Sequence, residues 1–171
     1  MKKLILMSLV LLCSTVYAQK IVENEVDDFT KKSIKRTSWE KLFYEMKGTI
    51  YFRISKIDSN CYFEIKLMNG SVFSVDEGPK IMFKLSNDSI YTLNNLKYTI
   101  TNIGEGSIGL NGSGAQGIFL SCVSLTDNKF NDLLDEKVTK IRIYTNSGYL
   151  EYDIKPKFAI TISNAINLIN L

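Results

Sequence analysis

The stretch of sequence that decides the fold is residues 50–67, IYFRISKIDSNCYFEIKL. Apolar residues occupy every second position from Ile50 to Ile54 and again from Cys61 to Leu67, on either side of a polar break at residues 58–60. A period of two is typical of strands that bury one face, and two such runs around a short polar break predict a hairpin. We therefore expect an antiparallel strand pair here.

The same alternation recurs along the rest of the chain. It covers residues 81–93, 96–100, 118–122 and 141–154, with turn-forming residues between the runs. The sequence has no β-α-β alternation, so a parallel sheet is not expected. We predict a hairpin-rich α+β domain built on a curled antiparallel sheet of about seven to nine strands, arranged as a partial barrel or a sandwich.

Helical signals predict two to three helices packed on this sheet. Thr37-Ser38-Trp39-Glu40 matches a capping box and predicts a short helix with Trp39 and Phe43 on one side. Apolar spacing of i, i+3, i+4 predicts a second helix within residues 124–137. Pro156 suits the first turn of a last helix. The apolar stripe of that helix comprises Phe158, Ile162, Ala165, Ile166 and Ile169.

The start of the chain reads as an export signal. Lys2 and Lys3 precede the apolar run LILMSLVLL, and Val16-Tyr17-Ala18 approximates a cleavage site. Residues 1–18 are therefore predicted to be removed, which leaves residues 19–171 as a single α+β domain in the periplasm or at the cell exterior. A lipoprotein anchored at Cys13 is the less favoured alternative, because Leu12 is larger than the residue that usually precedes a lipidated cysteine. No transmembrane segment is expected after cleavage.

The first part of the mature chain is polar. Residues 19–28 are acidic and are expected to form a loose N-terminal arm. Residues 29–38 contain Lys31, Lys32, Lys35 and Arg36. This segment is either an edge strand whose lysines discourage sheet-to-sheet pairing or a basic patch for an anionic glycan or membrane surface, and we favour the edge strand.

Composition excludes several functions. The chain has 21 Lys and Arg against 18 Asp and Glu, and two of the basic residues lie in the leader, so the mature chain is nearly neutral. A nearly neutral chain does not have the charge of a nucleic-acid-binding protein. With no histidine, most general-base, triad and zinc chemistry is excluded. We expect neither a cofactor nor a metal.

The glycine-rich segment 104–117 is the candidate binding element. Its glycines spell G-x-G-x-x-G twice, but the following residues predict a strand and not the helix that a dinucleotide site needs. Long loops are more often functional than short ones, and backbone N–H groups could receive an anion or a carbonyl group. The candidate binding residues are Gly104, Gly106, Gly109, Gly112, Gly114 and Gly117.

Two cysteines, Cys61 and Cys122, remain after the leader. Both alternate with apolar residues and are predicted to point inward. In an oxidising compartment they are either one disulfide or two buried free thiols, and spacing does not decide between these. No C-x-x-C motif is present, so a redox role is not expected.

Two further groups of residues bear on function. Tyr51, Tyr62, Tyr91, Tyr144 and Tyr149 are predicted opposite the apolar faces or at turns, where the nearby Arg53, Lys66 and Arg142 would complete a sugar- or peptide-binding face. The alternative is that this face is covered. Paired carboxylates would serve a glycan hydrolase, and the candidates are Glu64, Asp76, Glu77, Glu151 and Asp153.

Residues 51–58, residues 73–78, the glycine-rich segment and residues 140–145 resemble a group of small exported proteins of Bacteroides-type gut bacteria. A leader ending in Tyr-Ala-Gln is similar too. The resemblance implies no activity and brings no functional residues. We therefore expect a non-enzymatic envelope protein that binds a protein or a glycan. A carboxylate-dependent glycan hydrolase and a structural homo-oligomer are the alternatives.

Overall fold

The computed structural model describes residues 19–106, 115–125 and 130–170. Within these ranges the chain forms thirteen strands and two helices. The strands are β1 (Ile21–Val26), β2 (Ser33–Thr37), β3 (Glu40–Glu45), β4 (Gly48–Ile57), β5 (Asn60–Met68), β6 (Ser74–Val75), β7 (Gly78–Leu85), β8 (Ile90–Asn95), β9 (Thr99–Ile100), β10 (Asn102–Ile103), β11 (Gln116–Ser124), β12 (Val138–Thr145) and β13 (Gly148–Asp153). The helices are α1 (Asp132–Asp135) and α2 (Pro156–Asn170).

Eleven of these strands form one sheet, in the order β1-β2-β4-β5-β11-β8-β7-β12-β13. β3 also pairs with β4, and β10 also pairs with β11. β6 and β9 form a separate two-stranded sheet. Every described pairing is antiparallel. The predicted α+β class with an antiparallel sheet is confirmed.

The hairpin predicted from residues 50–67 is β4 and β5. Ile50 lies opposite Leu67, and Ile54 lies opposite Phe63. These four side chains are all buried, so one face of the pair belongs to the core. The hairpins predicted within residues 81–93 and 141–154 are β7–β8 and β12–β13. In each of them the polar break of the sequence is the turn of the structure.

The inner face of the sheet and helix α2 enclose the core. Phe52, Phe63 and Phe83 are among its largest fully buried side chains. The predicted stripe of α2 is buried at Ile162, Ala165, Ile166 and Ile169, and Phe158 packs partly buried against the core. α2 contacts β2, β3, β4 and β12. Neither helix of the described ranges has the length and hydropathy needed to cross a membrane.

The helix predicted from the capping box is wrong. The segment is strand β3, which pairs with β4 and has a register shift between Lys41 and Phe43. Pairing with an apolar strand outweighed the local signal, because tertiary contacts routinely override helix propensity. The Ser38 hydroxyl donates to the Glu40 carboxylate (2.7 Å) and does not cap a helix. Met46 is fully exposed in the turn after the strand.

The predictions for the first mature residues also need correction. Residues 21–26, expected to be a loose arm, form β1, which pairs with β2. β2 was predicted to be an edge strand but lies between β1 and β4, so β1 is at the edge. Two contacts fix this hairpin: Arg36 forms an ion pair with Glu23 (2.5 Å), and the Asp27 carboxylate accepts from Thr30 in the turn. The hydrogen bonds from Thr30 lower the pKa of Asp27.

Two other segments differ from expectation. Of residues 96–100, only Thr99 and Ile100 are in a strand, and Leu96, Tyr98 and Ile100 are exposed rather than core. Their alternation belongs to a surface segment that the core does not cover. In the helix predicted for residues 124–137, the described helical part is α1 alone, Ser124 is the last residue of β11, and residues 126–129 lie outside the described ranges.

Candidate functional site

Trp39 lies in the short break between two strands that share one edge of β4. β2 pairs with residues 55–57 of β4, and β3 pairs with residues 48–52. In the break, the Ile54 N–H donates to the buried Thr37 hydroxyl (3.0 Å). At this position the Thr37 hydroxyl replaces the backbone carbonyl that a paired strand would offer to the Ile54 N–H. The buried N–H is therefore not left unpaired. The next residues carry the chain to β3, with Trp39 on the outer side of the sheet.

The Trp39 ring contacts three side chains from three adjacent strands. The Arg53 guanidinium lies 4.6 Å and the Lys66 ammonium 4.7 Å from the ring centroid. The Phe119 ring meets it edge-on, with centroids 6.2 Å apart. Cations over the face of an aromatic ring are attracted by its quadrupole, most strongly for Trp. We call the residues Trp39, Arg53, Glu64, Lys66 and Phe119 the Trp39 cluster.

The Trp39 cluster contains a buried carboxylate and two cations. Glu64 is buried and forms an ion pair with Arg53. Burial lowers the pKa of Lys66, and the positive charge of Arg53 lowers it further, while Glu64 acts in the opposite direction. Two cations therefore lie against one aromatic ring, and Glu64 pairs with one of them, Arg53. An anion brought to this surface would be attracted to it.

A pocket adjoins the Trp39 cluster on the side of helix α2. Its volume is about 420 Å³. It is lined by Trp39, Glu40, Lys41, Tyr51, Lys157, Phe158 and Thr161. Burial raises the pKa of the Tyr51 phenol, and the nearby Tyr44 raises it further. Aromatic walls with a few polar groups at the rim are typical of ligand pockets.

A second group of cations and aromatic rings lies on the outer face at the other end of the sheet order. The Arg142 guanidinium is 4.4 Å from the Tyr149 ring centroid, and the rings of Tyr144 and Tyr149 are 6.2 Å apart. Glu151 accepts from Lys140 (2.6 Å) and Arg142 (2.5 Å). We call the residues Lys140, Arg142, Tyr144, Tyr149 and Glu151 the Arg142 cluster.

Ion pairs compensate the charges of the Arg142 cluster. Hydrogen bonds from Lys140 and then Arg142 lower the pKa of Glu151. Lys140 also pairs with Asp153 (3.4 Å), and the neighbouring Lys84 pairs with Asp88 (2.7 Å). A small pocket of about 130 Å³ lies here. It is lined by Met82, Lys84, Ile90, Lys140, Arg142 and Glu151.

The aromatic face predicted from the sequence is therefore divided. Tyr51 lies directly opposite Lys66 in the β4–β5 register and next to the Trp39 pocket. Tyr144 and Tyr149 belong to the Arg142 cluster, and Tyr62 is partly exposed on β5. Tyr91 is a correction: it is buried on the inner face, where its hydroxyl donates to Ser124 (2.6 Å).

Sequence reasoning missed Trp39 and Phe119. Trp39 was assigned to a helix that does not form. Phe119 stands between the core residues Ile118 and Leu120, so period two places it on the outer face. An aromatic residue at an outward position of a buried strand was the available signal.

The described glycines of the glycine-rich segment lie where two backbones come very close. A Cβ on Gly117 would stand 2.6 Å from the Gly106 Cα, and a Cβ on Gly106 would stand 2.7 Å from Met68 Cγ. Gly104 has a φ of 77° and donates from its N–H to the Ala115 carbonyl (2.8 Å). Gly109, Gly112 and Gly114 lie outside the described residues. Ligand binding by this segment stays a prediction.

Cys61 and Cys122 are free thiols. Of the two states left open by the sequence, the structure has the reduced one. Cys122 is fully buried and faces inward as predicted, whereas Cys61 is only partly buried. Burial, and then the charge of Glu64, raises the pKa of the Cys122 thiol. A thiol held protonated in the core is unreactive.

The predicted carboxylates are spread over the molecule. Glu64 pairs with Arg53, and Glu151 and Asp153 pair with Lys140. Asp76 and Glu77 are in the turn before β7. Three acids outside this predicted set, Asp132, Asp135 and Glu136, line a pocket of about 320 Å³ beside β8.

In the described ranges, no group of three or more His, Cys, Asp or Glu side chains is arranged to hold a metal ion. Comparisons with protein-family models, with curated proteins and with solved structures find no match to this chain. The site is therefore interpreted from its own geometry.

Proposed function

We propose that residues 19–171 form an exported, non-enzymatic binding protein of the cell envelope, and that the Trp39 cluster with its adjoining pocket holds a protein or glycan partner. Export rests on the leader-like residues 1–18. The observation that supports binding at this place is the Trp39 ring itself, which borders a pocket of about 420 Å³ and carries two cations. Trp, Tyr and Arg in a concave site are the residues that most often dominate recognition.

We also propose that the sheet curls into a partial barrel and thereby supports the site from behind. Phe63 of β5 and Phe83 of β7 have ring centroids 5.3 Å apart, although β11 and β8 lie between their strands. In a flat sheet, strands three places apart would be separated by roughly 14 Å. The rings of Phe43 in β3 and Tyr152 in β13 are also in contact, with centroids 4.6 Å apart. A curved sheet has a convex outer face and a stiff core beneath it.

The single tryptophan makes the proposal directly testable. Trp39 is the one Trp of the chain, so its emission reports on this site alone. Protein purified after expression of the full chain would be titrated with protein and polysaccharide fractions of the native envelope. We expect one fraction to shift the Trp39 emission in a saturable way.

Variants locate the binding surface. We expect Trp39→Ala to weaken binding of the active fraction at least tenfold, about 1.4 kcal/mol, when measured by calorimetry. Tyr149→Ala, the matched change in the Arg142 cluster, should leave affinity unchanged. Circular dichroism would establish that both variants are folded. Equal losses in the two variants, or no saturable binding in any fraction, would contradict the proposal.

A carboxylate-dependent glycan hydrolase is a second candidate, because Asp132, Asp135 and Glu136 line one pocket together with Tyr91. Glycosidases of the usual type need two carboxyl groups flanking the scissile bond. The measurement is release of reducing ends from envelope polysaccharide by the wild type and by Asp135→Asn. Activity that this variant abolishes would favour the hydrolase over the binding protein.

A further inference from the structure

The pocket beside Trp39 has aromatic walls on more than one side. Trp39 precedes β3, Tyr51 comes from β4, and Phe158 comes from the first turn of α2. Its volume of about 420 Å³ lies at the lower end of the range for small-molecule sites. A ligand with flat apolar faces and the size of one or two sugar rings suits these dimensions.

Two lysines of the pocket have no acidic partner among the described residues. Lys41 comes from β3 and Lys157 from α2, and neither forms an ion pair there. The nearby Lys155, by contrast, pairs with Glu45 (3.3 Å). Among the described residues of the lining, Glu40 is the one carboxylate, and it already accepts a hydrogen bond from Ser38 (2.7 Å). The lining therefore carries a surplus of positive charge.

Further cations lie close by. Arg53 and Lys66 of the Trp39 cluster stand beside the pocket, and Glu64 pairs with Arg53. Among the described residues, the pocket lining contains two lysines, Lys41 and Lys157, against one carboxylate, Glu40. Electrostatic complementarity therefore requires an anionic ligand group.

The chemistry of the lining favours a sugar ring as the ligand. The pocket is bounded by two strands on one side and by Lys157, Phe158 and Thr161 of α2 on the other. An extended peptide would add to a strand edge such as that of β3, which pairs with β4 alone among the described strands, and would not need three aromatic walls. A pyranose ring has an apolar C–H face for the aromatic walls and a hydroxyl edge for Glu40 and Thr161.

We infer that this pocket binds an acidic sugar unit of a glycan, with its ring against Trp39, Tyr51 and Phe158 and its carboxylate between Lys41 and Lys157. The inference rests on the proposed function and gives the chemistry of the ligand. The ligand group that we infer is a carboxylate carried by a sugar ring. Acidic peptides and neutral glycans are outcomes of the test.

The test compares each acid with its own neutral ester. Purified protein would be titrated with oligomers of galacturonate, alginate and hyaluronan and with their methyl esters, with Trp39 emission as the readout. We expect at least one acid to bind at least tenfold more tightly than its ester. The ester keeps the sugar ring and its hydroxyl groups but has lost the negative charge, so this ratio measures recognition of the carboxylate.

Three variants assign the charge recognition to residues. Lys41→Gln and Lys157→Gln should each bring the acid-to-ester ratio close to one while the ester still binds. Lys155→Gln is the matched control, since it removes a neighbouring cation that already has a partner, and it should leave the ratio unchanged. Affinity for the acid should also fall with added salt.

The outcomes separate this inference from the proposed function. If acids and esters bind equally, or if poly-glutamate shifts the emission and no sugar does, the acidic-sugar inference is wrong and binding at Trp39 stands. If no probe and no envelope fraction changes the Trp39 emission, the proposed function fails as well. A lower ratio in Lys155→Gln equal to that in Lys41→Gln would overturn the assignment to the pocket.

Discussion

The outer face of the sheet carries two groups of residues that look alike in the sequence and differ in the folded molecule. In the Trp39 cluster, Arg53 and Lys66 lie 4.6 and 4.7 Å from an indole ring; in the Arg142 cluster, Arg142 lies 4.4 Å from a phenol ring. Each contains an arginine that pairs with a glutamate of a neighbouring strand. A cation over an aromatic ring is therefore common to both.

The two clusters differ in how many of the cations at and beside them are ion-paired, and in the volume of the adjoining pocket. Arg142 is paired with Glu151, Lys140 is paired with both Glu151 and Asp153, and the adjoining pocket is only about 130 Å³. Next to Trp39, Lys41 and Lys157 form no ion pair within the described ranges, and the pocket is about 420 Å³. A cation that already has a partner stabilises the fold, whereas an unmatched one beside a cavity is available to a ligand. The comparison shows that the contact type alone does not identify a binding site.

The largest expected effect concerns the glycines that support each cluster. Gly117, two residues before Phe119 in β11, packs against Gly106, and Gly148 stands next to Tyr149 at the start of β13 with a φ of 123°. Gly117→Ala places a Cβ against backbone and should cost about 3 kcal/mol of unfolding free energy. Gly148→Ala meets no atom within 4 Å, so only backbone strain is expected, about 1–2 kcal/mol.

Guanidinium unfolding of the two glycine variants would measure these costs. A Gly117→Ala protein as stable as the wild type would show that the two backbones can separate, and the β5–β11 support of Phe119 would then be less rigid than described. The binding assay on the same variant would reveal whether Trp39 recognition depends on that support.

The second prediction concerns two variants, each of which removes the ion-paired carboxylate of one cluster. Glu64 has a side chain only 9% exposed, whereas that of Glu151 is 26% exposed. Glu64→Gln leaves Arg53 without the carboxylate of its ion pair at a half-buried site, and it should cost about 2 kcal/mol. Glu151→Gln should cost less, because water screens Lys140 and Arg142. Thermal unfolding of both variants tests the order, and the reverse order would mean that Glu151 is the more important partner.

The third and smallest prediction concerns the core behind the two clusters. There, the effect of high pH on stability should distinguish the Cys122 thiol from the Tyr152 phenol. Burial raises the pKa of the Cys122 thiol above its usual 9.0 and that of the Tyr152 phenol above its usual 10.0. A raised folded-state pKa stabilises the fold below the unfolded-state value and loses that stability as pH rises above it. The loss should therefore begin above about pH 9 for Cys122 and above about pH 10 for Tyr152.

The slope of unfolding free energy against pH, compared between variants, identifies which group is responsible. One proton released on unfolding corresponds to about 1.4 kcal/mol per pH unit. Cys122→Ala should remove the loss that begins near pH 9, and Tyr152→Phe should remove only the later one. Cys61→Ala is the control, since it changes a thiol that is only partly buried. An unchanged pH profile in Cys122→Ala would show that another group is responsible for the first loss.

Much of the fold could be predicted from local patterns. The hairpins β4–β5, β7–β8 and β12–β13 follow from period two and polar turns, and the stripe of α2 follows from helical spacing. These elements pair with, or pack beside, what is near them in the sequence. Their local pattern of apolar and polar residues was therefore enough to predict these elements.

The errors fall where a local signal in the sequence disagrees with the strand pairing of the structure. Trp39 follows a good capping box, yet β3 forms because β4 offers an edge to it. Residues 21–26 look like a polar arm, yet β2 offers them a partner. For Tyr91, the alternation was read in the wrong phase, and the side chain is buried. In the first two cases, pairing with the next strand outweighed a local preference of about 1 kcal/mol or less.

The sequence by itself determined the α+β class, the antiparallel pairing of successive strands and the presence of Tyr and Arg on outward positions. The tertiary structure alone decided that β5 lies beside β11 and that Trp39 meets Arg53, Lys66 and Phe119. It also decided which lysines lack an acidic partner in the described ranges. The physical reason is range: alternation is a property of neighbouring residues, whereas charge balance and pockets depend on strands that are far apart in the chain and adjacent only in the folded sheet.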